Sequence, residues 1–382
     1  MSKGSFYVAS KARLDRQVNQ WKAELPKIKT YYAVKCNPEP VLIKWLSNEG
    51  SAFDCASSRE IEIVLNNAHR PDIIFANPCK KREDIKFAQE RGIQTTVVDS
   101  KEELKKLSDC RWEGSSLIRI MVSDGGSKMP FSNKFGTPFT QALALYEEAQ
   151  RLGQKISGIS FHVGSGCQDP NQYYEAIMAA NSLLMKFDSY NYINNKKPYT
   201  IDIGGGFEDN IASAAIAIRK SRGHIPYNIE LIAEPGRYFA ASSHDLFTRV
   251  IGKKPSASGF RYTIDESLYG QFSCIPYDQA TPRWIRVRAP GEPMRRKCQA
   301  VLYGRTCDGL DLIAVGNAEE LEEGDVLYWY GMGAYTSVTS SEFNGFKPPD
   351  LIIGDLPDLS DFSESDWPTN IKYVSHVKAP EY

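Results

Sequence analysis

The sequence predicts an α/β barrel followed by an all-β domain, and three observations carry that prediction. Over roughly the first 235 residues, eight short β-rich runs alternate with stretches of helical period. Past about residue 245 the helical period fades into runs such as GFRYTIDES, CQAVLYG and DVLYWYG, separated by Gly, Pro and Asp. Polar residues of the first part gather where its strands end, as they do on the working rim of a (β/α)8 barrel, a fold of typically ~250 residues.

The strands are expected at 30–35, 51–55, 72–76, 95–99, 117–122, 157–162, 199–203 and 229–234. Between them, helices are expected at 58–67, 82–92, 101–108, 138–152 and 171–187, where charged faces alternate with Leu, Ile and Ala. The barrel is assigned to 10–245 and an antiparallel β-sheet or barrel domain to 1–9 with 246–352. The strand SFYVAS at the start could join either unit. Residues 353–382 are acidic and poor in periodicity, so a loosely held tail is expected there.

Composition bounds the function. Lys plus Arg number 46 against 47 Asp plus Glu, a net charge of −1, which leaves no global field for nucleic acid or anionic lipid. No run approaches the ~20 apolar residues of a membrane helix, no signal-peptide pattern is seen, and a cytoplasmic protein without membrane contact is the expectation. The eight cysteines are scattered with no CxxC pair, which fits free thiols and no metal site.

The expected rim carries Lys35, Asp54, His162 and Glu234, with Gly204, Gly205 and Gly206 after the seventh strand. Lys35 ends the apolar run YYAVK, as either a lysine snorkelling to water or a nucleophilic amine. Three successive glycines let backbone N–H groups approach an anion, and AEPGRY adds Gly236 and Arg237 after the eighth strand. Loops after strands seven and eight are the common phosphate site of such barrels. In SFHVGSGC, His162 precedes a Gly-Ser-Gly turn with a hydroxyl at Ser165; a lone His is more often a satisfied polar group, but this one falls on the rim. Glu234 needs a cationic partner, for which Arg237 could serve. Together these groups fit pyridoxal 5′-phosphate: an amine for its aldehyde, a cradle for its phosphate, an imidazole for its ring and a carboxylate for its pyridine nitrogen.

The segments YYAVKCN, FDCASSREI, NKFG, ISFHVGSGC, DIGGGF, AEPGRYF, YGQFSCIPYD, TCDGLD and GAYTSVTSSEFNGF closely resemble those of the eukaryotic-type ornithine decarboxylase family, enzymes with an alanine-racemase-like barrel. The likeness runs from Phe6 to Phe346. It implies that Lys35 binds the cofactor aldehyde, with Asp54, Glu60 and Arg119 as the polar shell around it. It further implies that His162 stacks on the ring, that Ser165, Gly205, Gly206, Gly236, Arg237 and Tyr335 surround the phosphate, and that Glu234 keeps the pyridine nitrogen protonated. In the β domain it implies Cys307 as proton donor to the α-carbon, and Tyr277, Asp278, Asp308 and Phe343 as substrate contacts. A homodimer with shared active sites is implied as well, with Lys134 paired to Asp311 of the second chain. The reaction implied is decarboxylation of L-ornithine to putrescine in polyamine biosynthesis. The alternatives are the same chemistry on lysine, arginine or diaminopimelate, a non-catalytic regulatory relative, and a Schiff-base aldolase that would leave the β domain idle.

Overall fold

The structure, a computed structural model, describes residues 4–187 and 199–373. Two units separate, Gln17–Phe239 and the flanking chain on either side of it. The first strand, β1 (Phe6–Ala9), belongs to the flanking unit. The strands β2 (Lys29–Ala33), β3 (Ala52–Cys55), β4 (Ile73–Phe75), β5 (Thr95–Val98) and β6 (Ser115–Arg119) follow in the other. After a short β7 (Ser127–Met129) come β8 (Lys155–Ser160), a short β9 (Ser165–Cys167), β10 (Tyr199–Asp202) and β11 (Ile229–Ala233). The eight longer elements β2–β6, β8, β10 and β11 pair in parallel and close into a barrel, in which β11 returns to β2. All eight expected strands are present.

The helices between them begin where the chain supplies caps. Ser57 accepts the Glu60 N–H and starts Ser58–Asn67, and Ser100 does the same for Glu103 at the head of Lys101–Asp109. The run expected as helix over 138–152 is a single 3₁₀ turn, Phe139–Gln141, followed by the helix Ala142–Arg151. Asn171–Phe187 matches its expected bounds. Residues 188–198 lie outside the described residues.

Alternation of side chains along each strand explains why the barrel ends in charge. Ala52, Leu117 and Ile232 belong to the apolar cluster that fills the interior with Tyr31, Ile74 and Val97. Two residues further on, the same-facing positions are Asp54, Arg119 and Glu234. A packed apolar plug is thereby capped by a charged layer at the C-terminal ends of the strands.

The flanking unit holds β12 (His244–Ser256), β13 (Gly259–Ile264), β14 (Arg283–Arg286), β15 (Lys297–Tyr303), β16 (Leu312–Glu319), β17 (Val326–Tyr330), β18 (Asp350–Ile353) and β19 (Thr369–Tyr373). Its sheet runs β14-β17-β12-β13-β15-β16-β19, with β1 paired to both β12 and β18. Most pairs are antiparallel as expected, but β1 with β18 and β13 with β15 are parallel, so the sheet is mixed. Its core centres on Trp329, which meets Phe272 edge-on at 4.5 Å and Trp284 at 5.5 Å.

The expectation of a loose tail fails for residues 354–373. There β19 adds to β16, Tyr373 is buried, and Asp366 pairs with Arg288 and Asp358 with Arg16. Two of the acidic residues, Asp358 and Asp366, are thus met by arginines, which composition alone cannot reveal. Among the described residues no helix is long and apolar enough to cross a membrane, and none of the His, Cys, Asp and Glu groupings could hold a metal ion.

Candidate active site

At the mouth of the barrel the chain leaves β2 in a 3₁₀ turn, Val34–Cys36, which places Lys35 just beyond the strand rather than on it. The side chain of Lys35 is 44% exposed, and its Nζ donates to Asp54 Oδ2 at 2.7 Å, while the Asp54 side chain is only 1% exposed. An immersed carboxylate thus aims an amine that remains reachable from solvent. Glu60 lies beside this pair, its Oε2 taking the Ala56 N–H at 2.7 Å. Burial raises its proton affinity, with Asp54 adding to the effect and Ala56 and Lys35 opposing it. Arg119, half-buried at the end of β6, lies over the Phe135 ring at 5.1 Å.

His162 also falls just past its strand. Its Nδ1 accepts the Gly164 N–H at 3.0 Å, so in the neutral ring the proton sits on Nε2. Burial, then Arg119 and Lys35, drive its pKa well below the usual imidazole value. A neutral, flat ring therefore faces the mouth. Phe131 meets it edge-on at 5.0 Å. The expected Gly-Ser-Gly turn after it is instead the strand β9, paired antiparallel with β7, so Ser165 is held by a ladder.

The glycine segment lies against His162. A Cβ on Gly204 would lie 2.4 Å from the Phe161 carbonyl, and one on Gly205 would meet His162 Nε2 at 3.0 Å. Gly206 has a φ of +97° and faces the Gly164 carbonyl, so both space and backbone angle demand glycine there. Gly236 presses against Cys36, where a Cβ would come within 2.9 Å of the Cys36 Cβ. Arg237 donates to Ser165 Oγ at 3.3 Å. Ser165, Arg237 and the bare backbone of Gly205, Gly206 and Gly236 are donors suited to a phosphate.

Glu234 is the residue whose surroundings depart most from expectation. Its Oε1 is buried and receives no hydrogen bond. Burial, Asp202 and Asp54 together push its pKa well above the carboxylate range, against the opposing effect of Lys35 and Arg119. An acceptor without a donor at the top of the barrel fits the N–H of a protonated pyridine. Asp202, at the end of β10, was not singled out from the sequence; the signal was the acid two residues before the Gly triplet.

In the flanking unit a second set assembles around the loop 304–311. Asp308 accepts the Tyr269 hydroxyl and, at 2.9 Å, the Leu310 N–H. These bonds, the Leu310 N–H foremost, hold its pKa below the usual value. Tyr269 stacks on Phe343 at 4.5 Å, and the exposed Cys307 is tethered by its own N–H to Asn344 Oδ1 at 3.0 Å. Tyr277 and Asp278 end the short helix Cys274–Asp278, Tyr277 exposed and Asp278 half-buried. Tyr335 adopts a φ of +55°, a left-handed conformation unusual for a tyrosine.

Asp311, expected to pair with Lys134 of a second chain, is held within its own chain by three donors. It is 1% exposed and takes Leu268 N–H at 2.8 Å, Thr306 N–H at 3.0 Å and the Thr306 hydroxyl at 2.6 Å. Lys134 lies over the ring of its neighbour Phe135. A cavity of about 430 Å³ at the opposite end of the barrel, lined by Leu25, Ile218, Tyr227 and Leu231, contains none of the residues expected to act.

A parallel barrel whose mouth combines a paired lysine, a glycine and arginine cradle and a donorless buried glutamate defines a pyridoxal-phosphate enzyme. Residues 11–241 match the family model of the pyridoxal-dependent decarboxylases, pyridoxal binding domain, and the chain belongs to that family. It is 37% identical over 364 residues to the chloroplastic ornithine decarboxylase of Nicotiana glauca, covering 92% of this chain and 83% of that one. It is 36% identical to antizyme inhibitor 2 of Xenopus laevis, over 90% of this chain and 79% of that one. The arginine decarboxylase of Paramecium bursaria Chlorella virus superposes with a TM-score of 0.87 at 34% identity, over 92% of this chain and 96% of that one. The protein is a pyridoxal-phosphate-dependent decarboxylase.

Proposed function

We propose that the protein decarboxylates L-ornithine to putrescine and CO2, as a cytoplasmic step of polyamine biosynthesis carried out by a homodimer with shared sites. When bound, pyridoxal phosphate supplies the electron sink for the pair released as the carboxylate departs. The rest falls to side chains of this chain. Lys35, aimed by Asp54, would hold the cofactor by its aldehyde. His162, neutral and flat, covers one face of the ring, and Glu234 holds a proton on the pyridine nitrogen. Ser165, Arg237 and the glycine backbone would bind the phosphate, a set to which the family resemblance adds Tyr335. In the proposed homodimer, Cys307 of the second copy would deliver its thiol proton to the α-carbon in place of the lost CO2.

The observation that carries the choice of substrate is Asp308, kept ionised by the Leu310 N–H and the Tyr269 hydroxyl. A short anionic receptor suits a distal ammonium, and Asp278, which the family resemblance groups with Tyr277 and Phe343 as substrate contacts, supplies a second carboxylate. A neutral side chain offers these acids no opposite charge. The rivals lysine and arginine differ by length and head group, and a methylene is worth only ~1–3 kcal/mol. Relative kcat/KM for ornithine, lysine and arginine with the purified holoenzyme tests the reading. Ornithine is expected to exceed both by at least about tenfold, in line with that figure. A preference for arginine or lysine overturns it.

A further inference from the structure

Between β15 and β16 the loop that carries Cys307 is gripped by residues 341–347 of the same unit. Arg305 lies over the Phe346 ring at 4.4 Å and donates to the Lys347 carbonyl at 3.1 Å. Two residues on, the Cys307 N–H donates to Asn344 Oδ1 at 3.0 Å. Asp308 is held apart from that bond, by the Leu310 N–H and by Tyr269, whose ring stacks on Phe343 and whose carbonyl takes the Ser341 N–H at 2.8 Å. Asn344 itself has a φ of +59° and a ψ of 14°, the left-handed region in which glycine sits with least strain and asparagine next. A turn of that shape needs no side chain, yet here the amide oxygen reaches the peptide N–H one bond from the Cα that bears the thiol. Asparagine thus meets two demands at once, a backbone angle and an acceptor.

We propose that Asn344 is a positioning residue for the Cys307 thiol: its amide oxygen fixes the backbone at the root of that side chain, and so the point from which the thiol proton reaches the α-carbon. The inference rests on the reading of Cys307 as the proton donor. Proton transfer needs donor and acceptor within about 3 Å, and a misplacement of about 1 Å can cost about 10²-fold in rate. Releasing the Cys307 N–H should therefore slow turnover. Binding of the substrate's far end should not change, because the bonds to Asp308 survive. Glycine at this position keeps the left-handed angle without strain and removes the acceptor. Aspartate tolerates the angle and keeps the acceptor.

The test compares Asn344→Gly, Asn344→Asp, Cys307→Ala and the double variant of Asn344→Gly with Cys307→Ala against the parent, all as holoenzymes. It reads the absorbance of the bound cofactor, and kcat and KM for the best substrate among ornithine, lysine and arginine. Asn344→Gly is expected to lose at least about tenfold in kcat, with KM and absorbance parental. Asn344→Asp is expected to run at least about threefold faster than Asn344→Gly, a factor that one hydrogen bond can supply. In the Cys307→Ala background the glycine change is expected to alter kcat by less than about threefold, because a residue that acts through the thiol has nothing left to place. A general loosening of the fold would lower kcat there as well. A smaller loss in Asn344→Gly, a loss carried by KM, no advantage for aspartate, or an undiminished loss in the double variant overturns the proposal. Cys307→Ala separates the two failures. If it keeps the parental kcat, the proton-donor reading falls and this inference with it. If it slows turnover while Asn344→Gly does not, only the role of Asn344 is lost.

Discussion

Replacing Asp311 by asparagine should unfasten the loop that carries Cys307 and Asp308. The carboxylate serves three donors at once: Leu268 N–H on Oδ1, and the N–H and hydroxyl of Thr306 on Oδ2. Asparagine has one oxygen. If it faces Thr306, its amide opposes the Leu268 N–H; if it turns round, the amide opposes both Thr306 donors. Either way at least one buried donor is stranded, at a cost of about 1–3 kcal/mol. Relaxation by drawing away is hindered, because both carboxylate oxygens already lie within 2.3 Å of where a Cβ on Gly304 would sit, so the acid is seated directly on the loop's backbone. Against a typical total stability of about 5–15 kcal/mol, the loss is readable as a lower denaturation midpoint in guanidinium. Because the Thr306 hydroxyl shares the acceptor, a double-mutant cycle with Thr306→Val should show a coupling of at least about 0.5 kcal/mol. A stability for Asp311→Asn within about 0.5 kcal/mol of the parent, the range of a neutral surface change, would refute the assignment of Asp311 as the internal clasp.

Three further outcomes are expected. Lys80 is fully buried, pairs with Glu103 at 3.0 Å and donates to the Asn77 and Val97 carbonyls, so Lys80→Met should destabilise by about 3–5 kcal/mol, seen as a lower denaturation midpoint. Cys307→Ala should cut turnover by about 10²–10⁴-fold while leaving cofactor absorbance intact; near-parental kcat would leave the thiol without a chemical role. Burial lowers the pKa of His244 to about 4, so the unfolded chain takes up a proton first as pH falls. Stability from this group is therefore complete above about pH 6.5 and lost toward pH 4, amounting to about 3 kcal/mol. Subtracting the stability profile of His244→Gln from that of the parent should isolate that slope, and a flat difference between pH 4 and 6.5 would count against it.

Much of the barrel was legible because each strand announces itself locally, by β-branched and aromatic residues bounded by polar turns. The rim residues were legible for the same reason, since a charge at the end of an apolar strand is conspicuous. What the sequence could not show is pairing over distance. Tyr269 and Asn344 have no local signal, yet they hold Asp308 and Cys307 through one side-chain bond each. The strand β19 reads as an acidic tail because its partner β16 is remote in sequence and its own run, TNIKY, is short. Asp311, implied by the resemblance only as a contact to a second chain, is held by Leu268 from far along the chain, and no local signal ties the two. Asp202 was hidden differently: an acid before three glycines looks like a turn former, and part of that reading holds, since it does accept the Gly204 N–H.

The charged layer at the barrel mouth also explains how one short stretch of strand ends can favour the cofactor. Alternation forces the residues above the apolar plug to face inward, and here they are Asp54, Asp202 and Glu234 with Arg119, joined by Lys35 from the turn after β2. Three acids against two cations leave these strand ends one negative charge in excess, and burial answers it by raising the proton affinity of both Asp202 and Glu234. A ligand that brings a cationic ring nitrogen to Glu234 neutralises the same excess without needing that acid to be protonated. On the proposed reading of Glu234 as the ring nitrogen's partner, the acids that crowd the barrel mouth would therefore favour a protonated pyridine over a neutral ring of the same shape.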